Sequence, residues 1–110
     1  MAIEMTKPWR PLTAEEVRKL PGQLGVYELG DDEGRVLYVG FAGGKSAFGL
    51  RSELENHARA PTGGATRFRY EVNMQYTTRH RELLMAHVAR TGHLPPGNRL
   101  DAPPLGRLSP

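Results

Sequence analysis

An α+β domain, in which a small, three-stranded and largely antiparallel sheet is flanked by helices, is the fold class that three observations predict. Two β-prone runs, 24–29 and 35–39, bracket the turn cluster Gly30-Asp31-Asp32-Glu33-Gly34, which is the pattern of a hairpin. Phe68, Tyr70, Val72, Met74 and Tyr76 alternate with polar residues, as in a third strand with one buried face and one wet face. Helical stretches surround these runs, in the order helix, strand, strand, helix, strand, helix.

Each element has a local cause. Thr13 is placed to cap a helix over 14–20, with Glu16 three residues on as in a capping box, and Pro21-Gly22 ends it. After the hairpin, 41–45 is a glycine loop, and Ser46 offers an N-cap for a helix to about Arg59. Leu50, Leu54 and Ala58 give that helix an apolar stripe at i, i+4, i+8. Pro61-Thr62-Gly63-Gly64 is a loop before the alternating strand. Thr77-Thr78 opens a last helix through Leu83, Leu84 and Val88, stopped by Gly92 and Pro95. The chain is then Pro/Gly-rich without a period, so residues 1–98 are expected to form one domain and 99–110 a loosely held tail. Trp9, between Lys7-Pro8 and Arg10-Pro11, is expected to pack the N-terminal arm onto that domain.

Composition narrows the function classes. With 110 residues, 38% hydrophobic and 25% charged, the chain suits one ordinary domain with a modest core. It has no cysteine, hence no disulfide, no thiol nucleophile and no thiolate metal site. His57, His80, His87 and His93 show no zinc-ligand spacing. No apolar run approaches the ~20 residues of a membrane helix. The first ten residues lack the apolar core of a signal peptide, so the cytoplasm is the expected location. A net charge of +3 and a pI near 9.6 permit a phosphate-backbone partner without demanding one.

The loop Gly40-Phe41-Ala42-Gly43-Gly44-Lys45-Ser46 ends like a P-loop, but that pattern needs a glycine where Val39 stands. Nucleotide hydrolysis is therefore not expected. A glycine-rich loop before a helix N-terminus still suits a phosphate of a nucleic-acid backbone, with Lys45 adding charge. On the wet face of the third strand, Arg67 and Arg69 project on one side, ~6.6–7 Å apart, near the phosphate spacing of a single strand. Both are expected to be exposed.

Two triplets, Gly25-Val26-Tyr27 and Tyr38-Val39-Gly40, bracket the ten residues 28–37, with Leu20-Pro21 ahead of them. In this the chain resembles the GIY-YIG endonuclease family, over about residues 20–98. The resemblance implies a hairpin carrying two active-site tyrosines, Tyr27 and Tyr38, which would handle the attacking water and the scissile phosphate. It implies an arginine to hold phosphate charge and a glutamate to bind one divalent cation, Mg²⁺ or Mn²⁺. The family's Leu-x-x-Arg-Leu-x-x-His corresponds here to Leu50-Arg51-Ser52-Glu53-Leu54-Glu55-Asn56-His57, so its arginine position is Glu53. Arg51 lies two residues earlier, ~200° around the helix, and serves only if the longer loop turns the helix in register. The glutamate position, counted back from Pro95 and Asn98, is Ala86; one extra helical turn restores Glu82. His57 matches the family's histidine and Asn98 its terminal asparagine, both beside the nucleic acid.

The resemblance thus implies a metal-dependent nuclease domain acting on phosphodiester bonds, with Tyr27, Tyr38, Arg51 and Glu82 as its catalytic groups. Its partner would be nucleic acid, DNA rather than RNA, with no membrane. The rival reading, favoured by the two displaced positions, is a domain of the same fold that has lost cleavage and binds nucleic acid or a protein. A third reading is small-molecule phosphate binding through Gly43-Gly44-Lys45-Ser46.

Overall fold

Thr13 caps as its position predicts: its hydroxyl accepts from the Glu16 N–H at 3.1 Å and starts α1, Ala14–Arg18. The Glu16 carboxylate turns away from the cap to Arg10 at 3.0 Å and Lys19 at 3.3 Å, so only half of the capping box forms. The computed structural model that shows this describes residues 4–44 and 46–101. Lys45 and residues 102–110 lie outside the described residues.

The hairpin consists of β2, Gly25–Gly30, and β3, Val36–Ala42, paired antiparallel with a bulge between Leu29 and Gly30. Asp31 closes it by accepting from the N–H groups of Glu33 at 2.9 Å and Arg35 at 3.0 Å. On its other side β2 pairs antiparallel with β4, Arg67–Val72, so β2 is central and all six of its residues are buried. A fourth strand, β1, Arg10–Pro11, pairs antiparallel with β4 and completes the order β1-β4-β2-β3. The sheet is four-stranded, which corrects the expected three. Two residues, one of them a proline, carry no alternation, and proline is tolerated there because the strand lies at an edge.

Helices cover both faces. On the first, α1 and α2 (Gly49–Arg59) pack over Tyr27, Leu29, Ala42 and Phe68 through Val17, Leu50 and Leu54. On the second, α3 (Tyr76–Thr91) and the N-terminal arm pack over Val26, Val36 and Val39 through Leu83, Leu84 and Met5. Trp9 belongs to this second cover, as its position in the arm predicts. Two-sided cover removes the wet face expected for β4, where Arg69 and Glu71 are half-buried. The strand also stops at Val72: Asn73 Oδ1 accepts from the Gln75 N–H at 2.8 Å, which turns the chain into α3 and leaves Met74 exposed.

α2 begins two residues later than a Ser46 cap would place it. Gly49 has φ +56°, and a Cβ there would stand 2.3 Å from the Gln23 carbonyl oxygen. That carbonyl accepts from the Leu50 N–H at 2.8 Å and so satisfies one of the helix's free donors. A last short helix, α4, Pro96–Asp101, covers the start of the segment expected to be a tail.

Candidate functional site

Strand pairing puts the two tyrosines on one face. Tyr27 lies opposite Gly40 and Leu29 opposite Tyr38, so the rings are diagonal neighbours with centroids 6.2 Å apart. Gly40 is what admits them: a Cβ there would stand 2.4 Å from the Tyr27 Cζ and hydroxyl and 2.8 Å from the Tyr38 ring. From α2, His57 closes the group. Its Nε2 is 2.8 Å from the Tyr27 hydroxyl, and its ring lies 5.4 Å from Tyr27 and 5.3 Å from Tyr38. Burial holds the His57 imidazole below its ordinary value, against the upward pull of Glu53. A neutral imidazole bonded to a phenol can hold or pass the phenol proton.

The charged candidates are elsewhere. The Arg51 guanidinium lies over the Phe48 ring at 5.4 Å and beside Gly22, at the start of α2. Glu53, one turn before His57, is near enough to pull on the imidazole. Its carboxylate accepts from the Ser46 hydroxyl at 2.7 Å and lines a hollow of about 410 Å³ with Phe41, Gly43, Gly44, Tyr76 and Thr77. Phe41 stacks on Tyr76 at 5.6 Å and meets His80 edge-on at 5.0 Å.

Glu82 is on α3, which packs on the opposite face of the sheet from Tyr27. Its carboxylate is bonded by Arg79. The Arg79 guanidinium also forks onto both oxygens of Glu71, at 3.0 and 3.2 Å. Burial raises the Glu71 carboxyl, but the bonds from Arg79 and Asn73 outweigh it and hold the group below its usual range. A guanidinium between two carboxylates takes the place that a cation on Glu82 would need, so these residues do not fit the metal site expected of them. Among the described residues, no cluster of three His, Asp or Glu side chains is placed to hold a metal ion.

Arg69 is not the exposed residue expected. It puts two N–H groups on Glu28 Oε1 at 2.7 and 2.8 Å, and the Trp9 ring covers its guanidinium at 4.2 Å. Arg67 is exposed as expected, at 3.9 Å from Asp32. Asn98, expected beside nucleic acid, is buried and spends its amide on the outer edge of β3. Its Oδ1 accepts from the Val39 N–H at 2.7 Å, and its Nδ2 donates to the Val39 carbonyl at 2.9 Å. It stands in for a missing neighbour strand.

The structure therefore brings together Tyr27, Tyr38 and His57, puts Glu82, Arg67 and Arg69 on the other face of the sheet, and gives Arg51 and Asn98 other contacts. Sequence reasoning missed the hollow beside Glu53 and the exposed rings of Phe41 (41%) and Phe48 (58%). Glu53 itself is marked in the sequence as the residue at the family's arginine position; Phe41 and Phe48 carry no local signal. Residues 3–90 match a family described as a domain of unknown function (DUF7508). No curated protein matches the chain.

Proposed function

The chain belongs to the DUF7508 family, and we propose that it is a GIY-YIG-type module that binds nucleic acid without hydrolysing it. The observation that carries this reading is Glu53, a carboxylate on the helix flank from which the resemblance would have an arginine reach the phosphate. A carboxylate about 4 Å from a phosphate costs roughly 4 kcal/mol at an effective dielectric near 20, where an arginine would stabilise it by as much. Glu82, held by Arg79, adds no cation to offset that repulsion.

Binding has its own support at the glycine loop. Phe41 and Phe48 flank the glycine loop with large exposed rings, and Arg51 stacks on Phe48. Exposed aromatics with an arginine across them suit unpaired bases, whose stacking contributes about 1–3 kcal/mol each. The +3 charge suits a backbone held by few contacts.

The hydrolase reading keeps one observation of its own, the Tyr27–His57 hydrogen bond at 2.8 Å with Tyr38 beside it. A single set of measurements separates the two. Labelled single-stranded, duplex and branched DNA and RNA are incubated with the protein and Mg²⁺ or Mn²⁺, and both retention and cutting are scored. Retention without cutting is expected, weakening with salt and weakened further in Phe48→Ala. Cutting that disappears in Glu82→Gln would restore the metal-dependent nuclease. No retention of any substrate at low salt would defeat both readings.

A further inference from the structure

On the second face of the sheet, where the N-terminal arm meets the end of α3, lies a cavity of about 600 Å³. That is within the range of small-molecule sites. One wall is apolar, formed by Trp9, Val36 and Leu37; the other carries His87, Arg90 and His93. The cavity lies apart from Tyr27, Tyr38, His57 and the glycine loop.

His87 is only 6% exposed, an unusual position for a histidine on a helix face that otherwise buries leucine and alanine. Its Nδ1 is 3.1 Å from the Arg90 guanidinium. A guanidinium can only donate, so Nδ1 accepts and the proton of the neutral ring sits on Nε2. That N–H has no partner among the described residues, yet no described side-chain polar atom is both sealed from solvent and unbonded. The space that His87 lines is the cavity, so its Nε2–H is a donor awaiting an acceptor there. Burial, then Arg90 and His93, hold the His87 imidazole below its ordinary value, and Glu4 alone pulls the other way. The charges that act on His87 are thus positive apart from Glu4.

Arg69 and Arg35, also at the cavity, are neutralised by Glu28 and Asp31. Among the described residues the acid paired with Arg90 is the arm's Glu4, at 2.7 Å, and both side chains are well exposed. Such a pair contributes about 0–1 kcal/mol, so another anion can displace the carboxylate at little cost.

We propose that this cavity binds a small organic anion, whose phosphate or carboxylate group is taken by Arg90 and the His87 Nε2–H and whose apolar part lies against Trp9. Glu4 occupies the anion's place until it arrives. Trp9 is the only tryptophan in the chain, so its emission reports on the cavity directly.

The test is a fluorescence titration of the full chain with phenyl phosphate, benzoate and, as the uncharged counterpart, benzyl alcohol. A saturable change with at least one anion and none with the alcohol is expected, and the tighter of the two anions names the group the site prefers. Arg90→Gln should weaken binding about tenfold or more, the loss expected when a charge-assisted hydrogen bond goes. Glu4→Gln should tighten it, an effect opposite in sign to that of Arg90→Gln. No saturable change with either anion, an equal response to benzyl alcohol, or unchanged affinity in Arg90→Gln would overturn the site. Glu4→Gln binding no tighter than the parent would overturn the displacement.

Discussion

The two faces of the central strand β2 are both buried and are chemically unlike. Tyr27 and Leu29 enter an interior without charge, where aromatic rings, leucines and a neutral His57 meet under α1 and α2. Glu28, between them in sequence, points to the other side, 4% exposed, and is held by Arg69 under the ring of Trp9. On the same face the pattern repeats with Glu71 of β4 and Arg79 and Glu82 of α3. The first face is thus a packed aromatic cluster in which the Tyr27 hydroxyl and the His57 imidazole bond to each other. The second is a set of ion pairs sealed by an arm and a helix. A cluster of rings tolerates the loss of one hydrogen bond, whereas a buried charge tolerates the loss of its partner badly, because nothing else in the interior replaces it.

The largest test of that contrast uses two arginines on one strand and one face. Arg69→Ser leaves Glu28 buried without a counter-charge and should cost about 3–5 kcal/mol in urea denaturation. Arg67→Ser, two residues away, removes a side chain that is 44% exposed and whose acid is 3.9 Å distant. It should cost well under about 1 kcal/mol. Equal and small losses at both positions would show that the second face is wetter than the ion pairs imply.

The first face breaks in a different way. Gly40→Ala puts a methyl group within 2.4 Å of the Tyr27 hydroxyl and ring, against two other rings with little room to retreat. Overpacking of this kind costs about 1–3 kcal/mol, and it should also push the Tyr27 hydroxyl off His57. A denaturation midpoint matched to the parent, with the Tyr27–His57 bond intact by NMR, would mean that the cluster is looser than its contacts suggest.

The contrast between the faces also explains what could be seen in the sequence. The hairpin and its two tyrosines were legible because glycine triplets and an Asp/Gly turn are local signals, and the α+β class followed from the order of periods. β4 was found, but its polar side was taken for solvent. Alternation reports only that residues differ in polarity, and Arg69 finds Glu28 from 41 positions away. The direction of Arg51 was not legible, since it depends on where α2 starts. Gly49 and the Gln23 carbonyl set that start, through a contact across the chain. Nor was the His87 cavity, whose walls come from the arm, the hairpin and the end of α3, with no motif in any of them.

The smallest effect is the dependence of stability on pH, and here His57 on the first face and Glu28 on the second carry opposite signs. His57 has a lowered folded value, caused first by burial and opposed by Glu53. Its stabilising contribution is present above the unfolded value of 6.5 and is lost as pH falls through the folded one, because unfolding then takes up a proton. Glu28 has a raised folded value, caused by burial against the pull of Arg69, so its contribution is present below 4.5 and lost as pH rises through the folded value. His87, lowered by burial and then by Arg90 and His93, adds to the histidine sign from the second face. Mild acid therefore weakens the aromatic cluster while it relieves Glu28, and the melting temperature of the parent shows only the difference. The variant His57→Gln isolates one contribution: between about pH 7.5 and 5.5 its melting temperature should fall less steeply than the parent's, with the remaining slope due to His87 and, with the opposite sign, Glu28. An unchanged slope would mean that His57 does not titrate differently in the folded and unfolded chain, and that the ring cluster is open enough to hydrate it.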